Sequence, residues 1–436
     1  MKLGRFRFAR GALRDGRGRS RETLARFRDE RVAAMVRHAY RNVGYYRTLF
    51  DAHGVDPGEV GGVADLAKLP ISTKHDLQSA DPADLIARDV NPSRLIVRRT
   101  TGSTGEPLEI RRSWTEERLL GAFRWRALLS MGARLTDRYA EIEETLVRDP
   151  NDHRFVHDAF ERLGLLRQVR IDALAHPDEI ANRLRAFSPS VIGGYAGVVT
   201  HLADVARDRV EQVRPRLVVL HSDTLTPRMR AAVQSAFAAP VYEIYDSNEV
   251  NVIAAQCVET GNLHVSDDTV VVEVLVDDRP AEPGESGDVV LTSLHSWSMP
   301  FVRYQIGDLV TCGSVPCGCG RPFSTLRAVR GRMFDYFPLV DGRTVHPYEI
   351  INVLERGGAW LVRYRITQEA RERLVLELLA RASPPDGTIE RVQRDVVAVV
   401  GPGVEVVVRL VESLPFEGTA KLRVCRSLVA SEYDEA

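Results

Sequence analysis

The sequence has no excess of charge of either sign: 59 Lys and Arg stand against 60 Asp and Glu in 436 residues, a net charge of -1. Without a global field there is no long-range pull on nucleic acid or an anionic membrane surface, so neither is expected as a partner. Long apolar runs are missing as well. None near the start reaches the length of a secretory core and none later approaches a membrane span, so a cytoplasmic protein is expected. Cysteine is scarce. Four of the five, Cys257, Cys312, Cys317 and Cys319, fall in one third of the chain, and Cys425 stands apart. That spread does not suit a disulfide framework and fits a reduced compartment with a metal cluster. Repeats and low-complexity tracts are absent. What remains is an ordinary globular balance, 44% hydrophobic and 27% charged. The length exceeds what one core usually supports, so a large domain with a smaller one is expected.

Arginines crowd the start, from Arg5 to Arg26, and read as a solvated terminus leading into a helix. Leu24, Phe27, Val32, Met35, Val36 and Ala39 then recur at helical spacing, predicting helix over 21–50. Residues 95–97 read as a short strand. Between 114 and 225, helical stretches (116–130, 198–207) alternate with extended ones (190–193, 217–220), the pattern of a layered α/β fold. A further strand is expected at 241–245. The segments 269–276, 287–292 and 302–304 are β-rich with Gly and Asp at the bends, predicting a β-barrel or meander. Beyond Arg332 the rhythm changes to helix (347–356), strands (362–366, 374–379), helix (388–399) and strand (404–410), a small α+β domain. The expected fold class is therefore α/β. Residues 1–332 form a large domain of layered α/β plus a β-barrel-like part, and residues 333–436 form the small one.

Five stretches carry candidate chemistry. Thr100-Thr101-Gly102-Ser103-Thr104-Gly105-Glu106-Pro107 combines glycines, which let the backbone approach a phosphate, with hydroxyl donors. No Gly-Lys-Ser/Thr closes it, so it is not a Walker loop, and by itself it is equally a plain surface turn. Tyr245-Asp246-Ser247-Asn248-Glu249 follows a strand, where an acidic residue can hold Mg2+ against phosphates. Asp308 follows Gly307 at a strand end, placed to accept two ribose hydroxyls. Arg332 sits at the domain junction, and Lys421, in Gly418-Thr419-Ala420-Lys421, brings a compact positive charge on a loop.

In this order the five stretches resemble the adenylate-forming superfamily, and specifically its phenylacetate–CoA ligase branch with capsular-polysaccharide-biosynthesis-like relatives. Residues 30–47 and 69–77 resemble the opening of that branch, so nearly the whole chain is covered. The resemblance implies ATP-dependent activation of an aryl or other small carboxylic acid to acyl-AMP with release of pyrophosphate, then transfer to coenzyme A. It implies that the 101–105 loop holds the β- and γ-phosphates, Glu249 the Mg2+ and Asp308 the ribose, with Arg332 nearby. Lys421, on a mobile lid, would bridge carboxylate and α-phosphate. A carrier-protein thiol or an amine as acceptor stays open, as does a homodimer, which is common among such relatives. A non-catalytic nucleotide-binding relative is the third reading, and the retention of Glu249, Asp308 and Lys421 argues against it.

The chain departs from the pattern at His221-Ser222-Asp223-Thr224, where such relatives often carry Gly-Gly-Glu. Ser222 and Asp223 are expected to line the adenine or acyl pocket. His221 is a pocket candidate, or equally a hydrogen-bonded histidine with no proton-transfer duty. Tyr195, after Gly193-Gly194, either shapes the acyl pocket or belongs to a simple strand-to-helix turn. Cys317 and Cys319, with Cys257 and His264, make a candidate Cys3His zinc site of structural type, with Cys312 in reserve. The alternative is free buried thiols beside a surface histidine.

Overall fold

The computed structural model describes residues 20–99, 108–143, 160–173, 175–222, 225, 227–314, 316–329, 337–345, 347–355, 360–380, 383–414 and 425–429. Two compact units emerge, a larger one drawn mainly from residues 20–329 and a smaller one drawn mainly from residues 337–429.

The larger unit opens on α1 (Arg21–Asn42), whose N-cap Ser20 accepts a hydrogen bond from the Thr23 backbone N–H. Val32, Met35, Val36 and Ala39, three and four residues apart, make its buried face. At Val43 the backbone becomes extended and α2 (Gly44–Ala52) follows, burying Tyr46 and Phe50, so the expected single helix is two. Both helices pack with Val271, Leu294 and Val302 of the β-rich region.

Five parallel strands form half of the main sheet. They are β1 (Arg138–Glu143), β2 (Arg167–Asp172), β3 (Val191–Tyr195), β4 (Leu217–His221) and β5 (Val241–Ser247), in the spatial order β2-β1-β3-β4-β5. The sheet turns antiparallel at β6 (Asn251–Gln256), paired with β5, and continues through β7 (Leu263–Val265). Strands β8 (Val270–Val276), β9 (Ser286–Ser293), β10 (Tyr304–Cys312) and β11 (Thr325–Val329) pair in succession, and β11 closes onto β7. The β-rich stretch is thus a meander, continuous with the parallel half in one sheet.

Helix α3 (Trp114–Ser130) lies on the parallel half, where Ala127, Leu128 and Met131 meet Tyr139, Val191, Leu217, Val219 and Ile244. Its start is a capping box between Ser113 and Glu116. The same buried Glu116 carboxylate accepts hydrogen bonds from the backbone N–H groups of Trp297 and Ser298 and from the Ser298 hydroxyl. One side chain therefore starts the helix and anchors a distant loop.

In the smaller unit, β12 (Leu361–Ala370), β13 (Arg373–Ala380), β14 (Glu405–Val411) and β15 (Cys425–Ser427) form a sheet in the order β14-β13-β12-β15. Its core joins Ile350, Leu354, Val392 and Val396, from helices at Pro347–Glu355 and Thr388–Val400, to Ile366, Leu374, Leu376 and Leu378. The α+β alternation expected there is present.

Removing the Glu116 carboxylate leaves several buried donors without an acceptor. Glu116→Ala is expected to cost about 3 kcal/mol or more, read as a lower midpoint in urea unfolding.

Candidate functional site

Open α/β sheets place ligands beyond the carboxyl ends of their parallel strands. Strand β5 ends in such a place and turns back into β6 through Asn248, Glu249 and Val250. The Ser247 hydroxyl accepts from the Val250 N–H at 3.4 Å, and Asn251 takes a left-handed φ of 64°, which asparagine tolerates better than most residues. Asn248 reaches out of this turn and donates to the carbonyl of Arg99 at 3.1 Å, the residue just before the Thr100 loop.

Consecutive strand residues point to opposite faces, so Tyr245 and Asp246 part company. The Tyr245 hydroxyl donates to Asp308 Oδ2 at 2.8 Å, with both side chains buried. Glu249, 3% exposed, accepts from the Tyr304 hydroxyl at 3.2 Å. Tyr304 and Asp308 both belong to β10, so the acidic residues from two separate motifs gather around one strand. Asp308 owes its direction to a bulge. Pairing of β9 with β10 jumps from Asp288–Leu309 to Val290–Gln305, and Gly307 within the gap has φ 90°, a value that favours glycine.

Asp246, expected among the nucleotide residues, faces Arg124 of α3 and His221. His221 ends β4 and is 3% exposed. Its Nε2 lies 2.6 Å from Glu141 Oε1, and its Nδ1 lies 2.9 Å from Ser222 Oγ and 3.5 Å from Asp246 Oδ2. Arg124 of α3 donates to Asp246 Oδ2 at 2.7 Å and reaches Glu141 Oε1 at 3.5 Å. The Tyr195 ring meets His221 edge-on at 5.6 Å. Ser222 adopts φ 69°, rare for a non-glycine residue, as the chain leaves the strand. Glu141 and Arg124 were not singled out in the sequence. The signal for Glu141 was there, in the period-two alternation of Tyr139, Glu141 and Glu143 against Ala140 and Ile142.

Burial pushes the Glu141 carboxyl up, but Arg124 and His221 beside it outweigh that and hold it below the usual carboxylate range. For His221, burial works against the charged form, yet Asp246 and Glu141 outweigh it and raise the imidazole above its ordinary value. Two carboxylates, one guanidinium and one imidazole thus form a mutually compensated, largely desolvated group.

The cysteine cluster also assembles. One donor atom from each of Cys257, His264, Cys317 and Cys319 lies within 4.8 Å of the others. Cys257 follows β6, His264 lies on β7, and the Cys317–Cys319 pair sits in the loop before β11. Cys312 is outside the group. His264 Nε2 is 3.1 Å from Cys319 Sγ, while its buried Nδ1 has no hydrogen-bond partner. Burial and then Arg321 push this imidazole down to about 4, which keeps it in the neutral form that binds metal. Thr100, Thr101, Gly102, Ser103, Thr104, Gly105, Asp223, Arg332 and Lys421 lie outside the described residues.

With this geometry in place, the fold is that of an adenylate-forming ligase. A 2-hydroxyisobutyryl-CoA ligase solved with 2-HIB-AMP and CoA in the thioesterification state superimposes with a TM-score of 0.65. That match covers 91% of this chain and 88% of the other, at 21% identity. In sequence, the chain is homologous to phenylacetate–coenzyme A ligases. One from Thermus thermophilus is 27% identical over 348 residues, 77% of this chain and 76% of that protein. Another, from Pseudomonas putida, is 26% identical over 346 residues, 76% of this chain and 75% of that protein. No protein-family model matches. Among the described residues no helix is long and apolar enough to cross a membrane.

The buried group gives a pH signature with a definite sign. Because the folded-state Glu141 pKa lies below its unfolded value, its contribution to stability is present at neutral pH and lost as pH falls through the carboxylate range. His221, raised, contributes below its unfolded value and loses that contribution as pH rises through its folded one. Urea midpoints are expected to fall between about pH 5 and pH 3, and to fall less steeply in Glu141→Gln.

Proposed function

We propose that the protein uses ATP to activate a carboxylic acid as acyl-AMP, releasing pyrophosphate, and then transfers the acyl group to coenzyme A. The observation that carries this reading is the Tyr245–Asp308 hydrogen bond with Glu249 at the adjoining turn, on a chain homologous to phenylacetate–coenzyme A ligases. A carboxylate oxygen attacks the α-phosphorus and pyrophosphate leaves. The thiol then attacks the acyl carbon and AMP leaves. Both transition states gather charge on oxygens, so fixed donors and cations aimed there lower the barrier.

In this reading Asp308, steadied by Tyr245, accepts the ribose hydroxyls, and Glu249 holds Mg2+. When bound, that ion offsets the negative charge of the phosphates. The Thr100-to-Gly105 loop, tethered at its entry by Asn248, supplies N–H and hydroxyl donors to the β- and γ-phosphates. Lys421 serves the α-phosphate and carboxylate, and residues 333–436 form the lid that brings it in, hinged beyond Arg332.

Cys257, His264, Cys317 and Cys319 are assigned to a structural Zn2+. A tetrahedral ion with ligands at about 2.0–2.3 Å asks for donors about 3.5–3.8 Å apart, inside the 4.8 Å within which all four donor atoms fall, and all four positions are filled by protein atoms. The neutral His264, whose Nε2 lies 3.1 Å from Cys319 Sγ, supports the fit.

Two outcomes are expected. Acid-dependent ATP–pyrophosphate exchange should fall about a hundredfold or more in Lys421→Ala and in Asp308→Ala, and AMP release should accelerate on adding coenzyme A. Near-normal exchange in either variant withdraws that residue's role. Elemental analysis should find about one zinc per chain, and Cys317→Ser should lose it together with thermal stability. A metal-free, equally stable wild type contradicts the site.

A further inference from the structure

The polar face along β1 and at the carboxyl ends of β4 and β5 retains hydrogen-bonding capacity that the protein itself does not use. Asp246 spends Oδ2 on Arg124 and His221, while its Oδ1 has no partner among the described residues. The Tyr139 hydroxyl, on a side chain 3% exposed and beside Glu141, makes no hydrogen bond of good geometry. Natural structures rarely leave a buried hydroxyl unpaired.

Space around this face is kept by glycine. A Cβ at position 193 would come within 2.1 Å of the Tyr139 hydroxyl and 3.0 Å of Glu141 Oε2, so no side chain fits over them. On α3, a Cβ at Gly121, one turn before Arg124, would meet nothing within 4 Å. Glycine inside a helix costs about 1 kcal/mol relative to alanine, and no crowding requires it there.

Tyr245 and Asp246 are consecutive at the strand end. The first leads to the proposed ribose ligand Asp308, the second to this polar face. An adenylate held at Asp308 would sit at this strand end, and an acyl group extended from it towards α3 would meet Asp246.

We propose that the acid activated here carries a hydrogen-bond-donating group, an amine or a hydroxyl, which Asp246 receives, and that unsubstituted aryl and aliphatic acids are poor substrates. The inference rests on the adenylation reading above. An apolar acyl group on this face strips water from Asp246 and returns no hydrogen bond. Sites built to bond a substrate hydroxyl or amine reject analogues lacking it far more strongly than apolar pockets discriminate by size. A hydroxyl can donate to Asp246 Oδ1. An ammonium also gains from the carboxylate of Asp246, which Arg124 and His221 approach only through Oδ2.

The test is ATP–pyrophosphate exchange by the full chain on matched acids that differ in one group. The sets are phenylacetate with its 2-hydroxy, 2-amino, 3-hydroxy and 4-amino derivatives, and propanoate with its 2-hydroxy and 2-amino derivatives. At least one donor-bearing acid should exceed its parent by tenfold or more in kcat/KM. Asp246→Ala should bring that ratio towards one, and Asp246→Asn should penalise amines more than hydroxy acids. Parents used as well as every derivative overturn the inference and leave adenylation standing. Exchange with no acid overturns both. A ratio unchanged in an Asp246→Ala protein of normal melting temperature removes Asp246 from the assignment. The wild-type preference needs no variant to fold.

Discussion

The hydrogen bond from Tyr245 to Asp308 is the contact on which the rest of the site depends. It ties the last strand of the parallel half to a strand of the meander, across 63 residues of chain. A buried carboxylate without a donor is costly, and this one is met by a phenol held on a strand end. The bulge at Gly307 makes the meeting possible, because a regular ladder would carry Asp308 past its partner. With that join made, Glu249 comes to the same strand through Tyr304, and Asn248 fixes the entry to the hydroxyl-rich loop.

The opposite side of the same strand end obeys a different constraint. Arg124, Glu141, His221 and Asp246 are desolvated together, which is tolerable only because each charge faces a partner. The arrangement fixes side-chain positions more than it adds net stability, since replacing such groups by apolar ones is often neutral. Its value lies in presenting oriented polar atoms where an apolar lining would otherwise sit. The left-handed Ser222 marks the same spot from the backbone side.

How much of this was legible in the sequence follows from how local each feature is. The face of α1 reads directly from Val32, Met35, Val36 and Ala39, because helical periodicity is set by near neighbours. Only its break at Val43 escapes, since the one local signal, Gly44 after it, sits within a run of residues that is helical on both sides. That Cys257, His264, Cys317 and Cys319 come together was readable because the close spacing of Cys and His residues survives in sequence. Strands β1 and β2 were not named in advance, although Ala140 and Ile142 in one and Val169 and Ile171 in the other alternate with polar residues, because each run is short and rich in charge. Losing β1 meant losing Glu141. The direction of Asp246 was likewise hidden, because a motif gives the order of residues and not the face each one takes. The union of Tyr245 with Asp308 is set by tertiary pairing and by one glycine at positive φ, information no local window contains.

The most direct measurement is a crystal structure of the protein soaked with a non-hydrolysable acyl-adenylate analogue. The account predicts ribose hydroxyls within hydrogen-bonding distance of the Asp308 carboxylate, with Tyr245 still bonded to it and the acyl group turned towards Asp246. An adenosine bound elsewhere, with Asp308 and Glu249 untouched, would contradict it.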